Sequence, residues 1–453
     1  MRSLVLLPLA ACLRFQSPAV DGVDDTGADP RPPVLVDPTI VWGDLHNHTN
    51  LSHDGCEAPD NRCLPDAELP AEEAFPRAIA YGLGFAALTD HAEFTRYLRP
   101  DDGIDIDIWS RMQELVRAAE GTSAFGILGY EWTSTCDADP GEIYQATHRT
   151  VLIEDVEGCA EWRIPSCHGT GVVSYGTERY QYSELEPAVQ PSELRARLQA
   201  VPDLDGCGPS RAIGFFHHVA QDRPAWVDWA TEESWVEGDT VVEIASEHGS
   251  SECDTRVATE GCDWRYSTDH HVDDGSIQYM LQMGHRLGFV GGTDNHMDEP
   301  GRVAGGPGQV RDLQANPKSP QPWHDQYSNG TVTGAIVTGS RFDREELFDI
   351  LEARHTVVAS WAAEKLVIYA SGADGERYLP GDDIPADAMP LELTVTLEDP
   401  RVTQWTLDVV DAFGQVTTET TLTIPAGEPR YVRIRAMQGE AEHRVFASPF
   451  FAE

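Results

Sequence analysis

The chain has 453 residues, of which 41% are hydrophobic and 24% charged, and a formal net charge of −44. That length and hydrophobic content suit a globular protein with real cores. The acidic balance excludes nucleic-acid binding through a basic surface, because a phosphate backbone would be repelled; it fits solubility in a salty or extracellular medium, or uptake of divalent cations by acidic side chains.

In chain order, "MRSLVLLPLAAC" sets Arg2 ahead of an apolar run over residues 4–9 and small residues before Cys12. This is the layout of a secretory signal. "LAAC" resembles the bacterial lipobox. That implies residues 1–12 as a lipoprotein signal peptide and an exported protein, periplasmic or at the cell surface, anchored to the membrane only through a lipid on Cys12. Residues 13–38, rich in Asp and Pro, read as a flexible tether. No later stretch is long and apolar enough to span a bilayer.

Over 39–361, short apolar runs alternate with helical stretches, the pattern of an α/β domain. Strands are expected over 40–45, 85–89, 125–131, 147–153, 212–216, 240–245, 289–292 and 335–338. Helices are expected over 72–81, 108–120, 192–200, 276–287 and 344–354. Regions 154–190 and 246–275, rich in Gly, Cys and polar residues, read as long excursions suited to lids and substrate loops. Past residue 361 the pattern changes. "KLVIYAS", "LELTVTLED", "QWTLDVVDA", "TTLTIPAG", "RYVRIRAM" and "HRVFASPFF" are strand-like, with no helix signal between them. Residues 362–453 therefore read as a β-rich domain of sandwich type.

Nine cysteines less Cys12 leave an even number, which suits disulfides in an oxidising compartment. Cys56 with Cys63, Cys159 with Cys167, and Cys253 with Cys262 would each close a short loop, leaving Cys136 with Cys207. Spacing alone does not decide the connectivity. Thiolate zinc sites are weaker candidates because no CxxC pair occurs.

The chemistry-bearing residues cluster at strand ends. "GDLHNHTNLSHDG", residues 43–55, carries His46 and His48, two apart and so on one face of a strand. Imidazoles on one face can share a metal, although such a pair alone suits two surface histidines equally well. Asp90 and His91 end "ALTDH", and Glu131 lies in "ILGYEW". His148 lies in "QATHRTVLI", His217 and His218 end "AIGFFHH", and Asp294 and His296 end "GFVGGTDNH". In barrel-like α/β folds the C-terminal ends of the strands are the functional end. One such residue would serve as a hydrogen-bonded structural group; together they point to a multinuclear metal site.

"DLHNHT", "LTDH", "GYEW", a histidine in the following strand, a histidine after the next buried strand, and "GTDNH" resemble, in that order, the motifs of the PHP (polymerase and histidinol phosphatase) family. The resemblance covers about residues 40 to 360. The β-rich C-terminus and the "HRT" and "HH" variants are most similar to the secreted subgroup that carries a domain-of-unknown-function label. The resemblance implies a distorted (β/α)7 barrel with two or three divalent metal ions, Zn, Mn or Fe. It implies His46, His48, Glu131 and Asp294 on one metal. Glu131 would bridge to a second, held by His148 and by His217 or His218. Asp54, His91 and His296 would hold a third, with His53 the rival of Asp54. Asp90 is expected to orient a ligand from behind. Arg149 and Arg302 are candidates for gripping phosphate oxygens, with structural or surface roles as the alternative.

The implied activity is that of an exported phosphoesterase acting on a small-molecule phosphomonoester or phosphodiester, or on a phosphonate ester, through metal-activated hydroxide. Glu131, His91, Asp294, Arg149 and Arg302 form its expected catalytic set. Two alternatives stand beside it. One is an amidohydrolase-like C–N or C–O hydrolase, ranked lower because no lysine stands at a strand end to carry a bridging carbamate. The other is a cell-surface binding protein with closed, structural metals.

Overall fold

β1 (Thr39–Asp44), α1 (Ala74–Ala80) and β2 (Phe85–Leu88) open the fold. A hairpin of β3 (Phe94–Arg99) and β4 (Ile104–Asp107), then α2 (Ile108–Ala118), lead to β5 (Phe125–Thr133) and β6 (His148–Ile153). The computed structural model describes residues 37–52, 71–99, 103–133, 148–157, 159–165, 172–175, 178–183, 188, 190–204, 207, 210–221, 227–230, 238–246, 248–258, 262, 271–295, 300, 331–439 and 441–453. β7 (Val172–Tyr175), β8 (Glu178–Tyr182), α3 (Pro191–Ala200), β9 (Ala212–Phe216), β10 (Val241–Ser246) and β11 (Gly249–Ser250) follow. Then come α4 (Ile277–Gln282), β12 (Gly288–Gly291), β13 (Val332–Val337), α5 (Arg344–Glu352) and β14 (Thr356–Ala359). The remaining strands are β15 (Lys365–Ser371), β16 (Arg377–Tyr378), β17 (Asp383–Ile384), β18 (Leu391–Glu398), β19 (Gln404–Asp411), β20 (Val416–Thr417), β21 (Thr421–Leu422), β22 (Arg430–Gln438), β23 (Ala441–Ala447) and β24 (Phe451–Ala452).

Local chemistry sets the helix limits. α2 starts where Asp107 accepts a hydrogen bond from the Ser110 amide, and it buries Ile108, Trp109, Met112, Leu115 and Val116 along one stripe. Asp343 caps α5 through the Glu346 amide, and Ser276 caps α4 through the Tyr279 amide. The helix expected over 276–287 stops at Gln282, because Gly284 turns the chain with φ at +86°.

The expected strands are present but their arrangement is not the expected one. An 11-stranded mixed sheet runs in the order β20-β19-β22-β23-β14-β13-β1-β2-β5-β6-β9. Only β1–β2 and β2–β5 are parallel in it; β5–β6, β6–β9, β1–β13 and β13–β14 are antiparallel. A (β/α)7 barrel needs a helical crossover between successive parallel strands. The described residues hold five α-helices against this many antiparallel neighbours, so the expectation of a distorted (β/α)7 barrel is corrected to a mostly β, mixed-sheet architecture. β10 lies in a separate sheet, antiparallel to β11 and parallel to β12. β3, β4, β7 and β8 form a third sheet, built partly from the excursion over 154–190.

The strands over 362–453 are not confined to sheets of their own. β23 pairs with β14, Val357 opposite Ala447, so β19, β20, β22 and β23 extend the large sheet. β15 and β18 carry a smaller sheet whose Leu366, Ile368 and Leu391 share a core with Val409, Val432 and Ile434. Residues 37–453 form one compact unit, which spans residue 361. Among the described residues no helix is long and apolar enough to cross a membrane.

A separate core lies under the strand ends that concern function. Leu45, Phe85, Ala87, Ile127, Leu152, Phe215 and Val290 meet there, and Leu347, Phe348 and Leu351 of α5 pack against them. Two cross-links outside it involve cysteine. Cys253 bonds to Cys262 as expected. Cys159 bonds to Cys207 and not to Cys167, because Ile153 at the end of β6 lies opposite Ala212 at the start of β9. That register brings the flanking segments together. Cys56, Cys63, Cys136 and Cys167 lie outside the described residues, as do residues 1–36 with Cys12.

A buried ion cluster joins the C-terminal strands to the rest. Arg433 on β22 pairs with Asp408 and Glu252, each at 2.9 Å, and Tyr431 donates to Glu252 at 2.7 Å. Glu252 follows β11 and is 1% exposed. Glu252→Ala leaves Arg433 short of a counter-charge in a dry site and is expected to destabilise the protein by about 3–5 kcal/mol, read from urea unfolding.

Candidate metal centre

The ligand-bearing strand ends are tied side by side by backbone hydrogen bonds. The Asp294 amide donates to His46 O (2.8 Å), His48 to Asn295 O (2.9 Å), Thr89 to Asn47 O (3.0 Å), Glu131 to Thr89 O (3.1 Å) and His217 to His148 O (3.4 Å). This close approach of chains needs small residues. A Cβ on Gly292 would lie 2.4 Å from His46 Cβ, so only glycine fits in "GGTDNH".

Four donor atoms meet in the centre. His46 Nε2 lies 3.1 Å from His48 Nε2, 3.3 Å from Glu131 Oε2 and 3.5 Å from Asp294 Oδ1. His48 Nε2 lies 3.0 Å from Glu131 Oε2 and 3.4 Å from Asp294 Oδ1. Ligands at about 2.0–2.1 Å from a tetrahedral ion stand roughly 3.3 Å apart, so these spacings match one cation's shell. The other Glu131 oxygen, Oε1, faces His148 Nδ1 at 2.5 Å and His217 Nε2 at 3.3 Å. Glu131 and His148 sit diagonally on one face of the β5–β6 pair, with Thr133 opposite His148.

Both adjacent histidines, His217 and His218, reach the cluster. Neighbours in an extended strand point to opposite faces. His218 breaks that rule with φ at +37°, and the two ring centroids stand 4.1 Å apart. Asp294 is also left-handed, at φ +50°. Two non-glycine residues in this region, both in one site, mark a conformation imposed by the surroundings. Ligand-type atoms of His148, His217 and His218 lie within 4.8 Å of one another, as do those of His218, His248 and Asp294. His248 Nε2 is 2.8 Å from Asp294 Oδ2.

A ring of supports holds these groups. Asp44 accepts from the His46 and Thr293 amides (3.1 and 3.0 Å), and Asp90 from the Thr49 amide at 2.7 Å. Asp90 thus holds the loop after His48 through Thr49. Glu243 accepts from the His218 amide at 2.9 Å, and its Oε2 faces His46 Nδ1 at 3.7 Å. At that distance the carboxylate acts on the His46 ring through its charge and not through a hydrogen bond. Glu93 stands likewise behind His91 Nδ1 (3.4 Å), whose Nε2 turns toward Glu131 at 3.7 Å.

The electrostatics fit a cation. Burial alone would push the Glu131 carboxyl up, yet His91, His217 and His148 hold it well below the carboxylate range. Burial also opposes charge on Asp294, which His46, His248 and His48 hold low. Burial disfavours a proton on His46, yet Asp294, Glu131 and Glu243 raise its pKa well above the ordinary histidine value. Burial and then His46 lower His217 to about 3; burial and the neighbouring histidines hold His218 well below its usual value. Neutral imidazole is the ligating form. Among the described residues, both ring nitrogens of His217, His148 Nε2 and His218 Nδ1 are buried without a hydrogen-bond partner. Orphaned lone pairs beside buried carboxylates are what a divalent ion satisfies, so the residues present fit such an ion.

The structure brings together His46, His48, His91, Glu131, His148, His217, His218 and Asp294. Asp54, His53, His296 and Arg302 lie outside the described residues. Arg149 is corrected. It alternates with His148 on β6 and points to the other face, where Nη2 bonds Asp239 (2.8 Å) and Gly214 O (3.0 Å) and the guanidinium covers the Phe216 ring. Glu243 and His248 went unread in the sequence. A carboxylate inside the apolar run "VVEIAS" is a legible signal, whereas His248 needs the β10–β11 turn to face Asp294.

Asp294→Asn keeps a residue that tolerates the left-handed backbone and removes the charge. It is expected to fold yet lose at least one bound metal by elemental analysis. His248→Ala is expected to lower metal content while leaving the His46–His48 locus filled, visible as a partial stoichiometry. No family model and no curated protein matches the chain.

Proposed function

We propose that this protein is a metal-dependent phosphoesterase that works on small phosphate esters outside the cytoplasm. The observation that carries the reading is the carboxylate of Glu131, one oxygen facing His46 and His48 and the other facing His148 and His217. With His46 and His48 on one side and His148 and His217 on the other, Glu131 would help hold a divalent ion through either oxygen. Two or more divalent ions held there would supply an acidified water and neutralise the charge on phosphoryl oxygens.

The chain's own residues do the rest. His46, His48 and Asp294 fix one locus, and His148, His217 and His218 the next. Asp44, Asp90 and Glu243 accept from the amides of His46, Thr293, Thr49 and His218, so the backbone that carries the ligands is held in place before the reaction. Glu93 faces His91 Nδ1 and leaves Nε2 turned to the cluster. The side chains of His148 and His248 are 15% and 18% exposed, against 0–1% for His46, His48 and His217, so substrate reaches the cluster along that edge. Tyr180 of β8 donates to Ser52 O at 3.1 Å and pins the end of the His48 loop.

The motif order of the chain supports a PHP-type hydrolase chemistry, and the Cys159–Cys207 and Cys253–Cys262 bonds support export. Purified, metal-analysed protein is to be assayed on aryl phosphomonoesters, phosphodiesters and phosphonate monoesters, with aryl esters and anilides as the contrast. Hydrolysis of a phosphoester, abolished by chelation and restored by Zn, Mn or Fe, is the expected result. Cleavage of esters or anilides alone by the loaded protein would overturn the reading in favour of C–O or C–N hydrolysis.

A further inference from the structure

Asp294 faces two ways. Its Oδ1 stands 3.5 Å from His46 Nε2 and 3.4 Å from His48 Nε2, whereas Oδ2 stands 2.8 Å from His248 Nε2. Ligand-type atoms of His218, His248 and Asp294 lie within 4.8 Å of one another. His218 is 7% exposed, and among the described residues its buried Nδ1 has no hydrogen-bond partner. An imidazole nitrogen left in that state beside a buried carboxylate is suited to a cation.

The position of His218 sharpens the choice. Its ring stands between those of His148 and His248, with centroids at 5.0 and 5.1 Å. His148 already has Glu131 Oε1 at 2.5 Å, and the same oxygen lies 3.3 Å from His217 Nε2. Glu131, His148 and His217 thus make a set of three ligands without His218. An ion at His248 and Asp294 needs His218 as its third. β10 sets up both histidines of that group. Glu243 on this strand accepts from the His218 amide at 2.9 Å, and His248 follows the strand with its amide donating to Ser246 Oγ at 3.4 Å.

We propose that His218, His248 and Asp294 hold a divalent ion of their own, with Asp294 bridging to the ion of His46 and His48. Two imidazoles and a carboxylate suit Zn, Mn or Fe. Three protein ligands leave coordination positions for water or substrate. The His248 side chain, 18% exposed, puts those positions on the open edge of the cluster. This locus differs from the one that the motif resemblance assigns to Asp54, His91 and His296. The inference rests on the metal reading proposed above and refines it. His217 stays with Glu131 and His148, while His218 passes to Asp294 and His248.

The 2.8 Å contact also suits a hydrogen bond by which His248 merely orients Asp294, and the test separates the two roles. The full chain is stripped with chelator, reloaded with zinc, desalted and measured by elemental analysis. His248→Gln keeps a hydrogen-bond donor but replaces the imidazole with an amide, a poor ligand for zinc. It is expected to lose about one zinc per chain, His148→Gln about one, and the double variant about two. Unchanged melting temperatures of the stripped proteins show that the variants fold. Full zinc content in His248→Gln overturns the proposal, because His248 then only orients Asp294. A double variant that loses no more than either single overturns it too, because the two histidines then serve one ion. A wild-type chain that takes up no divalent ion overturns this inference and the metal reading together. Because zinc content is the readout, the expected losses in a protein that cleaves no phosphoester would support this inference while overturning the phosphoesterase reading.

Discussion

Everything in the functional half of this protein depends on burying the charge of Glu131. The residue is 2% exposed, and its two oxygens face five imidazoles, those of His46, His48, His91, His148 and His217. A lone carboxylate in such a place would be prohibitive, and neutral rings relieve it only in part. A cation in the same space meets both the anionic oxygens and the orphaned ring nitrogens. The raised pKa of His46 is the same demand expressed with a proton, since Asp294, Glu131 and Glu243 draw positive charge to that point.

The sheet serves that demand by register. Parallel β1, β2 and β5 end together, and the backbone bonds from Asp294 through His46, Asn47, Thr89 and Glu131 hold their ends level. Antiparallel β6 runs the other way, so its contribution comes from its first residue, His148. Left-handed turns at His218 and Asp294 aim side chains that regular strands would send elsewhere. The C-terminal strands take part in this from a distance. Arg433 and Tyr431 grip Glu252, which lies just past the β10–β11 turn that carries His248.

The two faces of β6 have different surroundings. His148 turns to the cluster and Arg149 to Asp239 on the other side, so neighbours in "QATHRTVLI" play different parts. Proximity in sequence suggested that Arg149 would grip phosphate beside His148. Strand alternation forbids it, and a count of residues from the strand end would have shown as much. Glu243 was equally open to reading, because an unpaired carboxylate in the fully buried run of β10 has to be answered by a partner.

Local pattern was enough for the strand and helix positions and for the residue types gathered at strand ends, because these depend on periodicity and near neighbours. The chain also carried, in its own order, His46, His48, His91, Glu131, His148, His217, His218 and Asp294, all of which meet in space. Which strands pair, and in which direction, was decided only by the tertiary structure. An apolar run looks the same in a parallel or an antiparallel sheet, so a barrel is a natural reading of a sequence that builds an 11-stranded mixed sheet with smaller sheets beside it. The partner of Cys159 and the inward turn of His218 and His248 belong to that level too. Each is set by strand register and by backbone angles at single residues, and neither leaves a mark in the local sequence.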